Sequence, residues 1–420
     1  MLGWKLKQLA RLTLWRFEPG IVGVTGSVGK TSAKLAIASV LGADRRVRAA
    51  PGNLNNDLGL PIAILGDWDE RHANLVSREA PPGQFVKKAI FWCRVLCGGA
   101  MRLLFLPKRS YPEVLVLEYG ADKPGDIKEL LSIARPSVSV LTAIGEVPVH
   151  VEFYASPEEV AREKARLIEC LPAAGFAVLN YDDETVRAQK SRTRAHVLTY
   201  GFEKGAEVEL ARFEHRILDG KPAGISCKIG RGGSFVPVRL DNVFGRAHAY
   251  AAAAAAAVGL AFGMNLVRIS EALAGYIPAR GRLDLHKGVK DSSLLDDSYN
   301  ASPLSMQSAL ETLRDLPAAR KVAVLGDMLE IGSFAIPAHE HVGRLAAACA
   351  NVLVTVGLRG KFIADGAIRA GLARERVMSF DTAEDAAKPV HDLIQKGDLV
   401  LVKGSHAMHL EEVVEGIKVV

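Results

Sequence analysis

With 420 residues, 49% of them hydrophobic and 24% charged, the chain has enough apolar material for two or three packed domains and is not disordered. Five cysteines, an odd number at this length, exclude a small disulfide scaffold and point to a reducing cytoplasm. Cys93 and Cys97 lack a second Cys or His pair nearby, so zinc is not expected, and a net charge of +6 fits phosphates, anionic lipid or nucleic acid without selecting one.

The first predicted element, Met1 to Phe17, sets Lys5, Lys7, Arg11 and Arg16 among Leu2, Trp4, Leu6, Leu9, Leu12, Leu14, Trp15 and Phe17. Charge interrupts it too often for a spanning helix, and no cleavage site of a signal peptide follows. Ile21-Val22 then opens a strand, and Gly23-Val24-Thr25-Gly26-Ser27-Val28-Gly29-Lys30-Thr31-Ser32 reads as a phosphate loop running into a helix N-terminus. Glycines let backbone N–H groups close around phosphate oxygens; Lys30 can reach the β/γ-phosphates and Thr31 can ligate Mg²⁺. Position 24 is valine where the strict pattern wants glycine, leaving the narrower form TGxxGKTS.

A helix from Ala33 to Leu41, a short strand from Val47 to Ala50 and an Asn-rich loop with Asn53, Asn55 and Asn56 follow. Phe85 to Leu106 is a second basic amphipathic stretch, holding Lys87, Lys88, Arg94 and Arg102 among Phe91, Trp92, Leu103 and Phe105. Both such stretches either lie on a membrane surface or cover an apolar face of the core with their cations snorkelling outward. Val114 to Glu118 and Val138 to Thr142 read as buried parallel strands, with Glu118 at a carboxyl end, where a second Mg²⁺ ligand is expected. His150 follows the second of them closely enough to reach the same crevice.

Strands alternating with helices from Ile21 to about Asn180 predict a doubly wound α/β domain. Glu207 to Leu240 suggests a β-rich appendage, and the alanine-dominated run from Ala247 to Leu260 suggests a closely packed helix. The pattern restarts after Arg282: strands at Ser293–Asp297, Lys321–Gly326, Val352–Gly357 and Leu399–Gly404 predict a smaller Rossmann-like α/β unit without the glycine fingerprint for NAD. The expected division is a basic amphipathic segment (1–20), a P-loop-type ATPase domain with a mostly parallel sheet (21–280, with an insertion at 67–111) and a C-terminal domain (281–420).

These residues together resemble the Mur ligase family, on Thr25–Ser32, Asn55–Pro61, Leu117–Ile127, Gly281–Leu283, Asp296–Ala301, Gly326–Glu330 and Lys403–Ser405, from about Ile21 to Glu412. The resemblance is strongest to the branch that adds D-alanyl-D-alanine to a UDP-N-acetylmuramoyl tripeptide. It implies amide formation driven by ATP with Mg²⁺ through an acyl phosphate, on small-molecule substrates with no nucleic acid; the chain is expected to be a cytoplasmic monomer, and its two amphipathic stretches leave room for contact at the inner membrane face. It implies that Gly26, Ser27, Val28, Gly29, Lys30, Thr31, Ser32 and Asn56 hold the phosphates, and that Arg282, Asp297 and Asn300 face the nucleotide from the C-terminal side. Thr31, Glu118, His150 and Lys164 match metal-binding positions, Lys164 being the lysine that family members carbamylate. Lys30, Lys164, His150 and Arg282 are the implied catalytic set.

The sequence departs from the family pattern at five places: no domain for the UDP-sugar fits ahead of the phosphate loop, 67–111 is inserted, His150 lies further from Gly145 than usual, Ala251 stands where an asparagine faces adenine, and His406 replaces an arginine. A different acceptor, as in poly-amino-acid or folylpolyglutamate-type ligases, and a non-catalytic nucleotide-binding partner are the competing readings.

Overall fold

A computed structural model describes residues 2–50, 52–68, 72 and 85–419. Its first sheet holds nine strands: β1 (Gly20–Thr25), β2 (Val47–Ala49), β3 (Val114–Glu118), β4 (Val138–Leu141), β5 (Phe176–Asn180), β6 (His196–Gly201), β7 (Val208–Leu218), β8 (Lys221–Arg231) and β9 (Ser234–Asp241). Their order is β2-β3-β1-β4-β5-β6-β7-β8-β9. β2 to β7 are joined in parallel, and β3 and β4 are buried along their whole length because helices cover both faces. β1 lies between β3 and β4, with Val24 opposite both Glu118 and Val140. The chain crosses β1 between those two neighbours, and the carboxyl ends of the three strands form the crevice where such sheets take ligands.

The predicted β-rich appendage is instead a continuation of this sheet: β7 pairs parallel with β6, and β7, β8 and β9 then run antiparallel. Two tight turns explain it. Asp219-Gly220 and Gly232-Gly233 all have positive φ, the geometry a two-residue hairpin needs.

The alanine-rich segment forms the helix Arg246–Ala261, which packs on the helix Lys30–Gly42 that leaves the phosphate loop. Ala251 to Ala257 are buried, and a Cβ on Gly259 would come within 2.9 Å of both Val40 and Ile269, so the close approach needs small side chains there.

The second sheet comprises β10 (Asp284–Gly288), β11 (Ser292–Asp297), β12 (Arg320–Gly326), β13 (Val352–Val356), β14 (Val377–Phe380) and β15 (Asp398–Lys403), ordered β10-β11-β15-β12-β13-β14. Only β10 is antiparallel to its neighbour. The helix Pro303–Asp315 follows β11 with a capping box: Ser302 Oγ accepts from Ser305 N, Ser305 Oγ accepts from Ser302 N, and Pro303 sits in the first turn.

The amphipathic N-terminus is a helix, Leu2–Phe17, that buries Leu6, Ala10, Thr13 and Phe17, a stripe three to four residues apart. Phe17 stacks on Tyr111 with ring centres 4.4 Å apart, and the helix packs on those at Gly59–Leu65 and Phe85–Phe105. Of the insertion at 67–111, residues 69–71 and 73–84 lie outside the described residues. No described helix is long and apolar enough to cross a membrane.

Candidate active site

The phosphate loop bends immediately after β1 because two glycines let it. Gly26 has φ 147° and Gly29 φ 84°, and a Cβ on Gly26 would fall 2.0 Å from Thr142 Oγ1. Ser27 N and Val28 N donate to Ala143 O at 2.7 and 3.0 Å, which docks the loop on the end of β4. Lys30 Nζ folds over it and donates to the carbonyls of Gly26 (2.8 Å) and Ser27 (3.2 Å). Burial lowers the Lys30 pKa, and Glu118 opposes that shift.

Glu118 ends β3 and is buried. Its Oε2 accepts from Thr31 Oγ1 at 3.1 Å and lies 3.4 Å from Lys34 Nζ; its Oε1 accepts from Asn55 Nδ2 at 3.1 Å. Burial alone would raise this carboxyl, but Lys34, Lys30, Arg282 and the Asn55 bond outweigh it, and its pKa falls below the ordinary value. Lys34 also donates to Gly52 O at 2.9 Å; burial lowers its pKa against the pull of Glu118.

Arg282 closes this cluster from the border of the second sheet. Its Nη2 donates to Thr31 Oγ1 at 3.1 Å, and its guanidinium lies 4.4 Å above the Tyr299 ring, which also stacks with the His406 imidazole, 5.4 Å between centres. The Arg282 carbonyl is held by His248 Nε2 at 3.0 Å, while His248 Nδ1 lies 2.9 Å from Tyr276 Oη. A carbonyl only accepts, so Nε2 carries the proton and Nδ1 accepts from the tyrosine, which also bonds Ser32 of the loop. Burial pushes His248 down to about 4, keeping it neutral. Ala251, one turn further on, is buried in the helix packing, and Tyr250 Oη donates to Asp182 Oδ2 at 2.7 Å.

Lys164 projects from the helix Pro157–Glu169 and is buried. Burial first, then the charge of Lys30, pushes its ammonium down to about 7, although Asp122, Glu163 and Asp126 pull the other way. His150, with φ 69°, lies between Asp122 Oδ1 (3.5 Å from Nε2) and Glu330 Oε2 (2.6 Å from Nδ1), so it bridges the two sheets' loops. Asp297 Oδ2 is 2.6 Å from Lys403 Nζ; burial raises its pKa, and Lys403 and Arg282 oppose that. Lys403 Nζ also donates to the Asn300 carbonyl at 2.8 Å, and the Asn300 side chain accepts from Ala301 N. Asn56 is exposed, with Oδ1 accepting from Gly59 N and Leu58 N at the start of the helix Gly59–Leu65.

Lys30, Thr31, Glu118 and Arg282 are therefore in mutual reach, and Lys164 feels the charge of Lys30. Asn55 belongs to the Asn-rich loop expected to donate amide hydrogen bonds, and here it donates to Glu118. One participant was not singled out from sequence: Lys34 reads as an ordinary helix lysine unless the five-residue spacing from Gly29 is mapped onto the face turned toward Glu118.

The residues fit a nucleotide and a hard cation. Ser27 Oγ and Arg282 Nε are buried without a hydrogen-bond partner, the kind of orphan that a phosphate oxygen or its surroundings satisfy. Thr31 Oγ1 and Glu118 offer the oxygen donors Mg²⁺ requires beside phosphates. Among the described residues no group of three or more His, Cys, Asp or Glu could hold a metal by itself.

Fold and crevice thus define a two-part protein in which a phosphate loop on one α/β unit is closed by an arginine at the edge of another. The chain belongs to the Mur ligase family. The family's middle domain matches residues 99–259, and its glutamate ligase domain matches 281–406. It is 29% identical over 420 residues to the UDP-N-acetylmuramoyl-tripeptide–D-alanyl-D-alanine ligase of Bacillus subtilis, covering 98% of this chain and 79% of that one. The Mycobacterium leprae enzyme of the same name is 30% identical, with 93% and 72% covered. Among solved structures, the MurF ligase of Thermotoga maritima in complex with ADP superposes with a TM-score of 0.77 at 27% identity, covering 99% of this chain and 83% of that one. The folylpolyglutamate synthase of Mycobacterium tuberculosis shares the fold, with a TM-score of 0.67 at 17% identity over 98% and 94% of the two chains.

Proposed function

We propose that the chain is an ATP-dependent amide ligase of peptidoglycan precursor synthesis that joins D-alanyl-D-alanine to a UDP-N-acetylmuramoyl tripeptide. The observation that carries this reading is the Arg282–Thr31–Glu118 contact, which ties the second α/β unit to the phosphate loop where the γ-phosphate would lie. In the reaction a carboxylate oxygen of the tripeptide attacks the γ-phosphorus and the bond to ADP breaks, leaving an acyl phosphate. The dipeptide amine then attacks the acyl carbon, the amide forms, phosphate departs with its bonding electrons, and the amine loses a proton.

Lys30 and the loop N–H groups hold the β- and γ-phosphates, and Arg282, reaching in from the second unit, meets the charge that develops on the transferred group. Its aim is kept by the His248 bond to its own carbonyl and by the Tyr299 ring beneath it. Thr31, Glu118, His150 and Lys164 would hold Mg²⁺, which when bound neutralises phosphate charge. Lys164 is suited to carbamylation because a pKa near 7 leaves a large share of free amine. The ammonium first gives up one proton, the freed lone pair attacks the carbon of CO₂, and the nitrogen then releases a second proton, so a buried cation becomes an anionic oxygen donor. Gly26 to Ser32, with Asn56, Asp297 and Asn300, complete the nucleotide-facing set, and the three-part division at residues 20 and 280 belongs to the same reading, as do a cytoplasmic location and a monomer.

A second reading keeps the chemistry and changes the acceptor. It is favoured by His406, which stacks on Tyr299 where the family pattern offers an arginine able to grip a carboxylate in bidentate fashion. Phosphate release separates the two: the first reading expects release that needs both UDP-muramoyl tripeptide and D-alanyl-D-alanine and is lost in Lys30→Ala. Release that ignores either peptide substrate favours another acceptor, and no release despite ATP binding removes the ligase reading.

A further inference from the structure

Two helices outside the crevice, the first of them packed on the helix that follows the Asn-rich loop, combine features the rest of the described surface does not. Leu2–Phe17 and Phe85–Phe105 lie side by side: Leu9 packs where Gly99 has no side chain, a Cβ there falling 2.8 Å from Leu9 Cδ2, and Arg16 donates to Leu106 O at 3.2 Å. Both contacts advance seven residues along each helix, so the pair runs parallel.

The inner faces belong to the core through Leu6, Ala10, Phe91 and Val95. The outer faces do not follow the usual polar pattern. Trp4, Leu12 and Trp15 on the first helix, and Val86, Ile90, Met101, Leu104 and Phe105 on the second, are exposed; Trp15 is 78% and Phe105 71% accessible. These are eight of the seventeen exposed large apolar side chains among the described residues, gathered on helices of 16 and 21 residues. On the second helix they recur mostly three or four apart with Cys93 and Cys97 between them, one apolar stripe about 30 Å long. Contiguous exposure of this size marks a surface that something covers.

Charge decides what covers it. Neither helix contains a single Asp or Glu, while Lys5, Lys7, Arg11, Arg16, Lys87, Lys88, Arg94 and Arg102 lie on them. Tryptophan and phenylalanine flanked by exposed Lys5, Arg11, Lys87 and Arg94 suit the boundary between lipid headgroups and acyl chains, and the absence of carboxylates suits an anionic one. A second copy of this chain would bring the same positive charge to the same place.

We propose that these two helices seat the protein on the surface of an anionic phospholipid bilayer, with Trp4, Trp15, Leu104 and Phe105 at the headgroup boundary and the cations on lipid phosphates. The proposal is independent of which acceptor the ligase uses. It places the crevice within reach of a membrane without inserting any segment across it.

Flotation of the full chain with phosphatidylcholine vesicles, with and without phosphatidylglycerol, tests this. Flotation is expected with the anionic vesicles, about tenfold or more weaker with the zwitterionic ones, and reversible by salt. Lys5→Glu with Lys87→Glu should abolish the preference for anionic lipid. Trp15→Ser with Phe105→Ser should abolish flotation while the melting temperature and phosphate release stay at parent values. No flotation with anionic vesicles, equal flotation with both kinds, or double variants that float like the parent would overturn the proposal. So would a dimer in light scattering that Phe105→Ser dissolves, because the surface would then be covered by a second copy.

Discussion

The crevice and the outer helix pair are both rich in cations, and they use them in opposite ways. In the crevice Lys34 and Lys164 are buried and Lys30 is half-buried, their pKa values are pushed down, and each answers to named oxygens or neighbouring charge. On the helices Lys5, Lys87 and Arg94 stay in solvent beside exposed aromatic and aliphatic groups. A buried cation is costly unless a partner is fixed in advance, so its position reports a site for a defined anion. An exposed one is screened by salt and reports only the sign of a large partner.

Substitutions should break this contrast in a graded order. Lys30→Ala removes the cation nearest the loop carbonyls, and phosphate release should fall about 10³-fold with the fold intact by circular dichroism. Lys34→Met strips Glu118 of its partner at 3.4 Å, and urea unfolding should show a loss of about 3 kcal/mol.

His248 supplies the next effect through pH. Its folded pKa of about 4 lies below the ordinary 6.5, so the neutral ring's contribution is full above pH 6.5 and is lost as pH falls toward 4. Over that window stability should drop by up to roughly 3 kcal/mol, and His248→Asn should flatten this part of the profile in pH-resolved denaturation. If His248 also aims Arg282, the same variant lowers kcat more than it raises KM for ATP. Trp15→Ser stands at the small end: stability should move by less than about 0.5 kcal/mol, because the side chain touches water more than core.

Carbamylation adds a test specific to Lys164. With ¹³C-labelled bicarbonate a carbamate carbon signal should grow as pH rises through about 7, where the amine loses its proton, and vanish in Lys164→Arg.

Much of this was legible in the chain. The apolar runs ending at Glu118 and Leu141 gave buried strands because a parallel sheet covered on both faces leaves no polar positions, and TGxxGKTS located the loop because Gly26 and Gly29 are needed sterically. The joining of β7–β9 to the main sheet was not legible, since hairpin turns fix pairing within the three strands and say nothing of which sheet edge they extend. Lys34 was missed because its significance is a distance to Glu118, set by the packing of separate elements, and for the same reason the Asn-rich loop was legible while the Asn55 bond to Glu118 was not. The Arg282–Thr31 contact spans 251 residues of sequence and is likewise a property of the assembled fold.

On the proposed reaction a carboxylate is activated as an acyl phosphate in this crevice. Tripeptide substrate labelled with ¹⁸O in its reacting carboxylate, incubated with ATP and D-alanyl-D-alanine, tests it directly. One ¹⁸O atom is expected in the phosphate released with each amide formed, and unlabelled phosphate accompanying amide formation would rule out the acyl phosphate.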